Sequence, residues 1–244
     1  MSVRITGAAF AACMILLGRG AAAEPAPASA AATAESAPAE STTAESAPAE
    51  SATAASAAAA ARVEHYLSGL KTWSADFEQT IDDADGKVLR SASGHLYLKR
   101  PGKFRWDYTA PSRQVVLADG KKLWFYDKDL QQANVRDMDS TLKSTPAVLL
   151  AGGATVSSQF RISALPAGEG YEWFQLIPKH PTSDFQAIRI AFANGELVRM
   201  LFADKLNQVT SLKFSNAKRN VTLAPALFIF TPPAGVDVIG HPSP

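Results

Sequence analysis

The sequence predicts a mostly β domain with some α-helix, built on one long antiparallel sheet of about eleven short strands. Three observations carry this. From Ser74 onward apolar residues recur with a period of two. Turn pairs such as Asp119-Gly120 and Asn194-Gly195 separate the runs at hairpin spacing. Helical signals occur in only two places, once before the strands and once among them. A sheet of so many twisted strands does not stay flat, so it is expected to curl.

The first 23 residues read as an export signal. Arg4 closes a short positive region, Ile5 to Gly18 is uncharged, and Ala21-Ala22-Ala23 before Glu24 is a small-residue cleavage site. The uncharged run is shorter than the ~20 residues a membrane span needs. The only cysteine, Cys13, lies inside that run, which continues through Met14-Ile15-Leu16-Leu17. That placement argues against a lipid-modified cysteine. Residues 24–61 contain only Ala, Glu, Pro, Ser and Thr, and Thr33–Ser41 is repeated as Thr43–Ser51. With no large apolar side chain to bury, this stretch is expected to be a disordered, weakly acidic spacer. The remaining residues, 62–244, form a single domain.

Val63, Tyr66, Leu67, Leu70 and Trp73 make one apolar stripe at helical spacing, which predicts a helix of about three turns. Strands follow at Ala75–Thr80, around Leu96 and Leu98, and at Phe104–Tyr108. Further strand-like runs lie near 114–118, 123–126, 131–137, 159–165, 171–177, 185–192, 196–203, 208–215 and 226–231. The second helix is Thr145–Gly153, with a Thr cap, Pro146 at its first position and glycines at its exit. A curled sheet with an apolar inner face, covered by such helices, makes a greasy cavity with a lid.

Composition excludes several functions. Residues 62–244 carry 22 Lys and Arg against 18 Asp and Glu, a balance too mild to predict nucleic-acid binding. His65, His95, His180 and His241 are scattered, with no metal-ligand spacing, so neither metal nor cofactor is expected. Asp82-Asp83-Ala84-Asp85-Gly86 lacks the further ligands of a calcium loop. No nucleophile elbow or phosphate-binding loop occurs, which argues against an enzyme.

Gly94-His-Leu-Tyr-Leu-Lys-Arg-Pro-Gly-Lys-Phe-Arg-Trp106, followed by Asp119-Gly-Lys-Lys-Leu-Trp-Phe-Tyr126, resembles the signature of the periplasmic outer-membrane lipoprotein carriers of the LolA family. The opening helix running into Ser74–Gln79, the Thr145-Pro146 start of the second helix and the closing Phe228–Pro233 match as well. The resemblance implies an incomplete antiparallel β-barrel of about eleven strands, covered by short lid helices. It implies a monomeric periplasmic chaperone that receives acylated lipoproteins from an inner-membrane ABC exporter and passes them to an outer-membrane receptor. It further implies that Arg100 holds the empty cavity shut, and that Arg100 and Phe104 lie where the exporter docks. The tail at 24–61, Ala147 and the Gly152-Gly153 exit depart from the family pattern.

The residues support part of this directly. A guanidinium has five donors in a fixed fork, which suits the unpaired carbonyls at a helix C-terminus. Arg100 is therefore expected to close against carbonyls near Leu150 and Ala151; the plainer reading is an exposed arginine at a strand end. The expected cavity wall comprises Phe77, Leu98, Phe104 and Trp106, with Trp73 from the first helix and Val148, Leu149 and Leu150 from the lid. Whether Trp124 and Tyr126 or Leu123 and Phe125 face inward is open from sequence. The alternative function is a related lipid- or glycolipid-binding, or lipid-sensing, module on the same fold.

Overall fold

The computed structural model describes residues 47–138, 149, 150, 152, 155–179 and 185–240. The chain divides into two units, 1–51 and 52–244. Of the first, only the helical residues 47–51 are described; the whole sheet, and the helix from Ala52 onward, belong to the second. Among the described residues no helix is long and apolar enough to cross a membrane.

Helix α1 spans Ala47–Ser68. It begins well before Arg62, so the C-terminal part of the expected tail is helical. Alanine has the highest helix propensity, and the alanines at 57–61 extend the amphipathic segment backwards. The inward face is also longer than the large side chains suggest: Ala59, Val63, Tyr66 and Leu67 are all buried. The Ser56 hydroxyl donates to the carbonyl of Ile162 at 2.6 Å. At the other end α1 stops at Ser68, before Gly69. The Asn220 amide donates to the Gly69 carbonyl at 3.0 Å and accepts from the Lys71 amide at 2.8 Å. Trp73 therefore lies beyond the helix, and its expected place on the helical stripe is corrected. It sits in the first strand in phase with Ala75 and Phe77, and its helical spacing of three from Leu70 and seven from Tyr66 is coincidental.

Twelve strands form one sheet: β1 (Thr72–Asp82), β2 (Val88–Lys99), β3 (Lys103–Ala110), β4 (Gln114–Asp119), β5 (Lys122–Asp127), β6 (Gln132–Asp137), β7 (Phe160–Ala164), β8 (Glu172–Pro178), β9 (Phe185–Ala193), β10 (Glu196–Asp204), β11 (Val209–Arg219) and β12 (Asp237–Ile239). A single helical turn, α2 (Val156–Gln159), precedes β7. The order across the sheet is β12-β6-β5-β4-β3-β2-β1-β11-β10-β9-β8-β7. Strands β1 to β11 pair antiparallel, and β12 joins β6 in parallel. With β7 and β12 as its edges the sheet is not closed, so the barrel is incomplete.

Two differences from the predicted elements lie at the C-terminus. The run at 226–231 is not a strand. It holds a 3-10 turn at Pro225–Phe228, and the proline-flanked residues after it lie against the sheet. Strand β12, too short to show a periodicity, is not among the predicted elements.

The hairpin turns follow local chemistry. Asp83 Oδ1 accepts the amides of Asp85 and Lys87, and Asp119 Oδ1 accepts those of Lys121 and Lys122. Asn194 and Gly195 both have positive φ, as a tight two-residue hairpin requires.

Helix α1 demonstrates the curl. Ser56 meets β7 and the Leu67 carbonyl meets Arg100 at the end of β2. Six strand spacings separate β2 from β7, about 29 Å in a flat sheet. Only about 17 Å of helix axis separates Ser56 from Leu67. The shortfall exceeds the reach of an arginine, so the sheet wraps around the helix.

Tyr66 anchors α1 over β10. Its hydroxyl lies 3.4 Å from Glu196 Oε2 and accepts the Leu197 amide at 3.3 Å, while its ring meets Phe192 edge-on at 4.8 Å. Burial is the main cause that pushes its phenol up to about 12 from 10.0. The unfolded chain thus releases this proton first as pH rises. The contribution is complete below pH 10 and is lost between about 10 and 12. The urea midpoint should fall over that window, and Tyr66→Phe should flatten the fall; an unchanged slope in the variant would contradict the assignment.

Candidate lipid-binding site

Register shows which side chains share the face under α1. Trp73, Leu98, Phe104, Ala118 and Leu123 oppose one another across β1 to β5 and form one row. Ala75, Leu96, Trp106, Val116 and Phe125 form the next. Phe77 leads a third, with Gly94, Tyr108 and Gln114. Beyond β1 the face continues through Phe214, Leu212, Met200, Ile190 and Phe174. Edge-on ring contacts bind it together: Trp73 with Phe214 at 4.9 Å, and Phe77 with Trp106 at 5.4 Å and Tyr108 at 5.1 Å. The result is a concave, almost wholly apolar wall.

Of the residues the sequence nominates, Trp73, Phe77, Leu98, Phe104 and Trp106 all lie on this wall. The first four are buried and Trp106 is partly exposed. Leu149 and Leu150 are helical and buried. Val148 and Ala151 lie outside the described residues, as do Thr145, Pro146, Ala147 and Gly153.

Arg100 leaves the end of β2 and reaches two helical segments at once. Nε donates to the Leu150 carbonyl at 2.8 Å and Nη2 to that of Leu149 at 3.1 Å. Nη1 donates to the Leu67 carbonyl at 2.5 Å, next to the last residue of α1. One planar fork thus takes three carbonyls from two helical segments, and that of Leu67 also accepts the Leu70 amide at 3.2 Å. Burial draws the guanidinium pKa below its ordinary value; the group still carries its charge at neutral pH.

The family model described as "Outer membrane lipoprotein carrier protein LolA" matches residues 68–231. The chain belongs to the LolA family. A relative from Nitrosomonas europaea named outer-membrane lipoprotein carrier protein is 45% identical over 175 residues, covering 71% of this chain and 85% of the relative. One of the same name from Methylococcus capsulatus is 40% identical over 178 residues, covering 73% and 86%. A solved LolA-superfamily structure from Nitrosomonas europaea has a TM-score of 0.42 at 12% identity, covering 72% of this chain and 98% of that one. Membership in the LolA family supports a lipoprotein-binding carrier role.

Three features of this LolA-family chain escape sequence reasoning. The wall from β7 to β11 is the largest. Phe174 and Leu176 alternate visibly, but nothing local says that their face continues that of Phe77. The Leu67 carbonyl is a backbone group and has no residue-type signal. Separately, the orientation of β5, left open by the sequence, is resolved by register: Leu123 and Phe125 face the concave side. Trp124 and Tyr126 face the convex side, where Phe230 covers them at 5.0 and 5.3 Å.

Gly152 is the third. Its φ of 77° is left-handed, and a Cβ there would stand 3.1 Å from both Cδ and Nε of Arg100. The glycine lets the guanidinium approach, as well as ending the helix. Gly152→Ala should cost about 1–2 kcal/mol from the backbone conformation, with a further loss from displacing Arg100. Urea unfolding of the single and double variants checks this. The alanine penalty should shrink in an Arg100→Leu background, whereas additive penalties would mean that Gly152 and Arg100 act independently.

Proposed function

We propose that the chain is a periplasmic carrier that shields the acyl chains of lipoproteins between the inner and outer membranes. The observation that carries the reading is a continuous apolar concave wall whose cover is tied down by Arg100. Each buried CH₂ of a chain is worth ~0.8 kcal/mol, so several long chains would exceed the ~18–21 kcal/mol at which non-covalent affinity saturates. A carrier needs something to oppose that grip. Releasing Arg100 from three carbonyls is such an opposing cost, met when cargo enters and recovered when cargo leaves.

In this reading residues 1–23 are a cleaved export signal and the segment before α1 is a spacer. An inner-membrane ABC exporter loads the cavity near Arg100 and Phe104, and an outer-membrane receptor empties it. The wall contacts come from Trp73, Phe77, Leu98, Phe104, Trp106, Val148, Leu149 and Leu150. The protein acts as a monomer, without cofactor or turnover.

The test is a release assay. The mature protein is incubated with spheroplasts making a labelled lipoprotein, and label is followed into the soluble fraction and then onto outer membranes. Stoichiometric release followed by transfer is expected. Binding of a fluorescent acyl probe without release would favour the lipid-binding or lipid-sensing alternative. Arg100→Leu removes every donor of the closure, so it should retain labelled lipoprotein in the soluble fraction while transfer falls several-fold. Normal transfer by that variant would remove the closure argument.

A further inference from the structure

The concave wall has a polar spot. The indole Nε1 of Trp106 is buried with no hydrogen-bond partner, although the ring itself is partly exposed. On the same face Gln79 is 8% exposed, and the Tyr108 hydroxyl donates to its Oε1 at 3.1 Å. The Phe77 ring lies edge-on to both Trp106 and Tyr108, with ring centres 5.4 and 5.1 Å away, so the two residues are neighbours on the wall. Toward the Arg100 end, the row of Trp73, Leu98, Phe104, Ala118 and Leu123 is apolar apart from the Trp73 indole. Trp73 Nε1 is likewise unpartnered, but the whole Trp73 side chain is buried, whereas part of the Trp106 ring is exposed, so that a small shift of this ring is enough to present its Nε1. A phenylalanine at 106 would give a similar apolar surface without leaving a donor unmet.

We propose that Trp106, with the Gln79–Tyr108 pair beside it, is a polar subsite that receives the ester or amide carbonyls of the bound acyl groups. This rests on the carrier reading and deepens it. An acyl carbonyl brings acceptor lone pairs and no donor, and it must be hydrogen-bonded if it is taken out of water. An indole N–H is a donor only, so the two complement each other. Because Gln79 Oε1 accepts from Tyr108, the other end of its amide, Nε2, is also a donor. The cavity would then distinguish acylated cargo from hydrocarbon of equal length.

The experiment compares two soluble ligands, dioctanoylglycerol and its dialkyl ether, which has the same chains but no carbonyls. Each competes with a bound fluorescent apolar probe. The wild-type protein should hold the diester roughly 2- to 10-fold more tightly than the diether, the range of one net hydrogen bond. Trp106→Phe should bring that ratio close to one, and taking a ratio cancels any loss of wall area common to both ligands. Tyr108→Phe frees the Gln79 amide to rotate and should lower the ratio too, which keeps the idea testable if the tryptophan variant folds poorly. Equal affinities in the wild type, or an ester preference that survives both variants, would overturn the subsite. Failure of both ligands to displace the probe would instead overturn the carrier reading, and the subsite with it.

Discussion

The structure depends on one constraint: carbonyls near the ends of two helical segments meet at one point and call for a donor from outside those segments. Arg100 satisfies both. Its fork joins the last turn of α1 to the Leu149–Leu150 turn, two segments far apart in sequence. Charge-assisted bonds of this kind are worth about 1.5–3 kcal/mol each, and burying the guanidinium offsets part of the gain. The fork thereby ties the two segments together over the concave face. Gly152 belongs to the same arrangement, because a Cβ there would press on the guanidinium at 3.1 Å and the left-handed backbone disfavours any other residue.

The curled sheet supplies the apolar concave face beneath these helical segments. Its inner face is continuous from Leu123 on β5 through Phe77 on β1 to Phe174 on β8. Helix α1 fills part of the hollow, held by Tyr66 over β10 and by Ser56 at β7. On the convex side of β3 to β6 the C-terminal segment makes a second, smaller core. Phe230 covers Trp124 and Tyr126, the Leu227 carbonyl lies 3.4 Å from Arg105 Nη1, and β12 lengthens the sheet beside β6. Strand β5 is apolar on both faces because both are covered, one by the cavity side and one by this strap.

Legibility varies with the range of the interaction. The hairpins are readable because Asp83, Asp119 and the Asn194-Gly195 pair act on amides within a few residues of themselves. The inward set Phe77, Leu98, Phe104 and Trp106 is readable because each lies in an alternating run. Trp73 reads wrongly as helical because it lies three residues after Leu70 and seven after Tyr66, spacings that continue a helical stripe although the residue belongs to an alternating strand. The start of α1 is invisible to hydrophobic patterning because small residues leave no stripe, although Ala59 packs as tightly as Val63. The last run, 226–231, has a strand-like composition, yet Pro225, Pro232 and Pro233 limit ladder pairing and its phenylalanines are used as plugs.

By itself the sequence determined the class of the fold, most strands of the main sheet, the greater part of one apolar face and the contact of Arg100 with the Leu150 carbonyl, since these follow from local periodicity and residue type. Tertiary structure alone decided which face of β5 looks inward, that β7 to β11 complete the wall, and that Arg100 bridges Leu67 as well as Leu149 and Leu150. The physical reason is that a strand's two faces are equivalent until something covers one of them, and that a backbone carbonyl is the same in every residue until a donor arrives from elsewhere in the chain.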